Sequence, residues 1–141
     1  MDERIMQISE YDGPGYRPLI DSASWRVAFL RWDPSMLPEK LEFMERHTHS
    51  DEVFVLLNGL ATLILGGNGL QANDIFLQDM DQGKLYNVKR NAWHAILTSQ
   101  DATILIVENQ DTGEKNTEYS RIAEGNKQEI LTSRQKYNDI R

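Results

Sequence analysis

The stretch Glu45-Arg46-His47-Thr48-His49-Ser50-Asp51-Glu52-Val53-Phe54-Val55-Leu56-Leu57-Asn58-Gly59 decides the fold. It sets two of the chain's three histidines beside acids, then runs into apolar residues and an Asn-Gly pair. A short apolar run bounded by polar residues suits a β-strand covered on both faces, so Val53–Leu57 reads as a strand. Asn58-Gly59 fits a tight hairpin turn, where positive φ is needed, and Ala61–Leu65 reads as the returning strand. The third histidine, His94, lies far downstream in Ala92-Trp93-His94-Ala95-Ile96. Should the fold join these two places, they make a metal-ligand set.

Outward from this stretch the same pattern repeats. Trp25–Trp32 reads as a strand, broken by Asp33-Pro34-Ser35-Met36-Leu37-Pro38. Leu41–His47 starts extended. Short strands are expected at Ile75–Leu77, Leu85–Val88, Trp93–Thr98, Thr103–Val107 and Glu118–Ile122, each bounded by turn-forming residues. Many short strands at regular spacing indicate an all-β sandwich or barrel. Residues 1–24, with Gly13-Pro14-Gly15 and Pro18, read as an N-terminal arm carrying a short edge strand. Residues 25–122 form the barrel. Residues 123–141 form a C-terminal helical tail, with Asn126 and Glu129 spaced as a capping box and Ile130, Leu131 and Tyr137 on one side.

Composition narrows the function. At 141 residues the chain reads as one domain with a sizeable core. A net charge of −7 argues against binding nucleic acid or an anionic membrane surface. With no cysteine, thiolate metal sites, disulfides and cysteine nucleophiles are excluded. No apolar run approaches the roughly 20 residues needed to span a bilayer, and the charged start is not a signal peptide, so a cytoplasmic protein is expected. There is no Gly-rich phosphate loop or dinucleotide fingerprint.

The two histidine-bearing places resemble the motifs of the cupin superfamily. The first family motif is His-x-His, three or four residues, Glu, six residues, Gly; here Glu52, six residues and Gly59 match it. The second is Gly, five residues, Pro-x-Gly, two residues, His, three residues, Asn. Here Gly83, Lys89-Arg90-Asn91 and His94 keep the spacing, with Lys89 for the Pro, Asn91 for the Gly and Thr98 for the last Asn. Asn91 can stand in for a Gly at positive φ. The resemblance covers roughly residues 25–110 and implies a double-stranded β-helix, the cupin jelly-roll barrel, with a short C-terminal helix.

The same resemblance implies a barrel-interior divalent transition metal (Fe, Mn, Ni, Zn or Co) held by His47, His49, Glu52 and His94. One spacing departs from the family: only two residues separate His49 from Glu52. Counting back from Glu52 at the longer gap puts Glu45 in the first-histidine position, so Glu45 is the substitute ligand. Alternation sets residues 45, 47 and 49 on one face while the strand lasts, which favours His47 in either register. Phe54 and Leu56, which share the parity of Glu52, and Tyr86 are the candidate pocket residues. Trp93 points away from the metal. Asp51 caps the turn or orients a ligand histidine. The opposite face, Val53, Val55 and Leu57, is equally apolar and needs cover; cupins are often homodimers, and a homodimer is expected. The implied function is an enzyme acting at the metal on a small polar metabolite, a sugar derivative or organic acid. The alternative is a non-catalytic, small-ligand-binding barrel, with or without metal.

Overall fold

In the computed structural model, which describes residues 1–133, the chain is mostly β. Ten strands lie among the described residues: β1 (Gly15–Ser22), β2 (Trp25–Arg31), β3 (Phe43–His47), β4 (Glu52–Asn58), β5 (Ala61–Leu65), β6 (Phe76–Asp79), β7 (Leu85–Val88), β8 (His94–Thr98), β9 (Thr103–Asn109) and β10 (Thr117–Arg121). They form two five-stranded antiparallel sheets, β1-β2-β9-β4-β7 and β10-β3-β8-β5-β6. Apart from the hairpins β1–β2 and β5–β6, strands adjacent in sequence alternate between sheets, as in the double-stranded β-helix. The polar stretch 1–24 contributes more than a short edge strand: β1 is eight residues long and pairs along the whole of β2.

Asn58-Gly59 does not close a hairpin. β4 pairs with β7 and β9, while β5 pairs with β6 and β8, so the turn is a corner that carries the chain from one sheet to the other. A turn signal in sequence reports the local backbone, not which sheet the next strand joins. Gly59 has φ +77°, and a Cβ there would stand 2.7 Å from the Ala102 Cα, so the corner needs both the left-handed backbone and the missing side chain. Asn91 lies at φ +69°, the conformation expected of a Gly substitute.

Two apolar clusters hold the sheets. The first fills the barrel interior with Phe54, Leu56, Leu63, Val88, Ile104 and Ile106. The second lies on the outer face of the β10-containing sheet: Met44, Ile64, Trp93 and Leu97 meet Ile122 and Ile130. Ile130 comes from the helix α1 (Glu124–Ser133) and is 1% exposed, so the helix docks by one large side chain. Asn126 lies inside this helix and does not cap it; of the expected helix face, Tyr137 lies outside the described residues. Trp93 is buried, donates Nε1–H to the Gly69 carbonyl at 3.0 Å, and carries the Arg46 guanidinium over its ring at 4.3 Å. The outer face of the other sheet is less covered, leaving Trp25, Leu57 and Leu85 exposed. No helix among the described residues is long and apolar enough to cross a membrane.

Candidate metal centre

β3, β4, β8 and β9 converge at one end of the barrel. Glu45 faces His94 directly across β3 and β8, and His47 faces Thr117 across β3 and β10. Residues 45 and 47 share the inward parity of β3, while Met44, just before them on the opposite parity, is buried on the outside. β4 enters with Glu52 inward, followed at the same parity by Phe54. The result is a buried cluster. Glu52 Oε1 lies 3.1 Å from His47 Nε2 and 3.0 Å from His94 Nε2. Glu45 Oε1 lies 3.7 Å from His47 Nε2 and 3.9 Å from His94 Nε2.

The ring nitrogens have distinct roles. His94 Nδ1 lies 3.0 Å from the Ala92 carbonyl, which can only accept, so Nδ1 carries a hydrogen. The other nitrogen, Nε2, is buried with the Glu52 oxygen near it but off the hydrogen-bond direction, and so has no aligned partner. His47 Nδ1 meets the Thr117 hydroxyl at 2.9 Å, and its Nε2 is hydrogen-bonded to Glu52. Such contacts on the far nitrogen fix the ring and direct Nε2 at the centre of the cluster.

The charges are strongly coupled. Burial would raise the Glu52 carboxyl, but the two histidines outweigh it and hold it well below the usual carboxylate range. Burial would lower His47 and His94, but the Glu52 carboxylate raises both. Glu108 on β9 shares the site. Burial first, then the neighbouring Glu52, pushes its carboxyl up to about 7. Two adjacent carboxyls do not both ionise easily, and the one between the histidines keeps its charge. Glu108 also accepts a short hydrogen bond from the Tyr16 hydroxyl of β1, and burial raises that phenol above its ordinary value.

Two sets of side chains offer ligand atoms within 4.8 Å of one another: Glu45, His47 and His94, and His47, Glu52 and Glu108. His49 belongs to neither. β3 ends at His47, alternation stops in the bend that follows, and His49 is exposed, lining a second, shallow cavity with Trp25, Lys89 and Arg90. Glu45, on the inward face of β3 beside His47, lies within reach of both cluster histidines. The orphaned His94 Nε2, a second imidazole, the Glu52 carboxylate and neighbouring carboxyl oxygens around one point form a donor set that fits a divalent transition metal.

The cluster lies in a cavity of about 780 Å³. Phe54 lines it and packs edge-on against His94, ring centroids 5.9 Å apart. Leu56 and Tyr86 do not line it. Leu56 lies two residues further along β4, within the packed interior, and Tyr86 uses its hydroxyl to accept from the Asp81 backbone N–H at 2.8 Å. Met36, Leu37 and Lys40 from the segment before β3, and Thr112–Glu114 from the segment after β9, also line the cavity. Asp51 joins two turns, accepting from the Arg90 backbone N–H and the Asn87 side chain, and does not touch a cluster histidine through any of these bonds. Glu108, Tyr16 and Arg26 also line the cavity, and reading the sequence passed over all three. For Glu108 and Arg26 the signal was parity: Glu108 follows Ile104 and Ile106, and Arg26 precedes Ala28 and Leu30, on inward positions.

Fold and site together define a cupin, and solved structures agree. The chain is similar to a cupin-2 domain protein from Shewanella frigidimarina, 16% identical, with a TM-score of 0.50 over 77% of this chain and 90% of that one. It is also similar to an RmlC-like cupin from Methanocaldococcus jannaschii, 15% identical, with a TM-score of 0.53 over 74% and 91%. A third is the nucleoside dehydratase Pac13 from Streptomyces, 11% identical, with a TM-score of 0.54 over 82% and 87%. At these identities the likeness shows the fold alone. A search of curated proteins finds no match. The model of the ureidoglycolate lyase family matches residues 3–129, and the chain belongs to that family.

Proposed function

We propose that this chain is a metal-dependent lyase that splits ureidoglycolate into glyoxylate and urea. The observation that carries the reading is the buried His47–Glu52–His94 cluster in an open cavity, in a chain spanned almost end to end by the ureidoglycolate lyase family model. The substrate is a small organic acid, within the class the sequence suggested.

The reaction is a balanced elimination. The carbinol hydroxyl loses its proton, its oxygen becomes the aldehyde carbonyl as the C–N bond breaks, and the urea nitrogen takes a proton. His47 Nε2, His94 Nε2, Glu52 and Glu45 would hold the metal. A bound divalent ion supplies Lewis acidity toward the substrate's oxygens. The chain's own part is acid–base and positional. Glu108, next to Glu52 in the cavity wall, is the carboxyl placed to take the hydroxyl proton and return it to the departing nitrogen. Tyr16 fixes that carboxyl through its hydroxyl. Phe54 and Ile106 keep the floor apolar, which strengthens each charge interaction there.

Incubating the metal-loaded protein with ureidoglycolate tests the reading: glyoxylate and urea should appear in equal amounts. Saturable binding of the acid with no product would favour the non-catalytic barrel instead. The exposed Trp25, Leu57 and Leu85 on one sheet's outer face support pairing of two copies through that face, which sedimentation would check.

A further inference from the structure

One charged row crosses the inner face of a sheet that is otherwise apolar inside. Asp21 pairs with Arg26 across β1 and β2, and Arg26 pairs with Glu108 across β2 and β9. Glu108 in turn interacts with Glu52 of β4. Arg26 Nε donates to Asp21 Oδ1 at 2.8 Å, its guanidinium is also hydrogen-bonded with the Tyr16 hydroxyl, and its side chain is 17% exposed. It lines the cavity.

The rest of that cavity is acidic. Asp33, Glu42, Glu45, Glu52, Glu108 and Glu114 line it, against two lysine or arginine side chains among the described residues, Arg26 and the exposed Lys40. Away from His47 and His94, which line the cavity too, a carboxylate ligand entering such a space is repelled along most of the wall. A guanidinium offers it a planar fork of donors, which an ammonium does not. Position matters as much as charge. In a 2-hydroxy acid the carboxylate is bonded directly to the carbinol carbon, so its anchor must stand beside the group that takes the hydroxyl proton. Arg26 stands directly across the ladder from Glu108.

We infer that Arg26, held in place by Asp21, is the residue that anchors the substrate's carboxylate, and that the cavity therefore selects 2-hydroxy acids over their neutral amides. The inference rests on the lyase reading for its substrate, but its test does not depend on turnover. The probes are glycolate and its neutral counterpart glycolamide, titrated calorimetrically into the protein as purified, beside steady-state kinetics with ureidoglycolate. Wild type should bind glycolate in preference to glycolamide. R26Q should lose that preference and raise KM about 10- to 100-fold with kcat little changed, the scale of charge-assisted hydrogen bonds. R26K keeps a charge that can still pair with Asp21 but lacks the fork, and should fall between the two. An unchanged KM and preference in R26Q, or equal loss of both probes, would overturn the assignment. If ureidoglycolate is not split but the preference for glycolate still depends on Arg26, the anchor stands and the lyase reading falls.

Discussion

Glu52 Oε1 and His94 Nε2 stand 3.0 Å apart inside the barrel, and no aligned hydrogen bond joins them. The far nitrogen of the ring is committed to the Ala92 carbonyl. Buried and facing a carboxylate, Nε2 therefore needs either a second proton or a metal. Metal retention should follow this geometry. His94→Ala and His47→Ala should each weaken metal binding about 100-fold or more, and Glu45→Gln should weaken it less. His49→Ala should leave it unchanged, since His49 is exposed beyond the end of β3. Titration with Mn²⁺ or Zn²⁺ followed by elemental analysis reads all four variants.

Proton and metal compete for the same nitrogens, which gives a pH signature. In metal-free protein the histidines, raised above 6.5, add stability that is fully present below 6.5 and lost as pH rises through their folded-state values. Glu52, held below 4.5, adds stability that is present above 4.5 and lost as pH falls through its folded-state value. Glu108 works the other way from Glu52: raised from 4.5 to about 7, it costs stability as pH climbs across that interval. Metal-free protein should thus be most stable in the mildly acid range and weaken toward pH 8. Added metal should raise the melting temperature more at pH 8 than at pH 6. Glu108→Gln should flatten the decline between 4.5 and 7. Thermal melts across pH, with and without chelator, check each point.

The corner at Gly59 should tolerate no side chain. Its φ of +77° and the 2.7 Å approach to the Ala102 backbone predict that Gly59→Ala costs about 2–4 kcal/mol. Chemical denaturation would measure it. A cost below about 0.5 kcal/mol would show that the corner can relax.

Ile130 is the large buried side chain by which α1 docks, and it meets Met44 and Trp93 on the back of the strands that carry the histidines. Ile130→Ala should cost about 2–4 kcal/mol by the usual scale for buried aliphatic truncation. Because the cluster lies on the opposite face of β3 and β8, metal affinity at temperatures below the melt should change little. A fall in affinity without a fall in stability would contradict this division.

Much of the barrel was legible because alternation and turn chemistry are local properties. The strands around Val53–Leu57 and Thr103–Val107 follow from their apolar runs, and positive φ at Asn91 was implied by the resemblance, in which it stands for the Gly of the family's second motif. What stayed hidden was long-range. Asn58-Gly59 looks like a hairpin from sequence, since nothing in it tells which sheet receives the next strand. Which of His49 and Glu45 faces the cluster depends on where β3 stops, and that boundary, at His47, lies just before the turn that Asp51 ties down. Tyr16, Arg26 and Glu108 come from strands remote in sequence, and only pairing of β1, β2 and β9 sets them around one cavity.

The central claim, a metal-dependent lyase at the His47–Glu52–His94 cluster, is tested most directly by one assay. Metal-stripped wild type, His94→Ala and His49→Ala protein would be given ureidoglycolate before and after addition of divalent metal, with glyoxylate and urea both quantified. The account predicts little product without metal, restored equimolar product in wild type and His49→Ala, and a loss of about 100-fold or more in His94→Ala. Equal rates in wild type and His94→Ala, or no product from any metal-loaded sample, would contradict it.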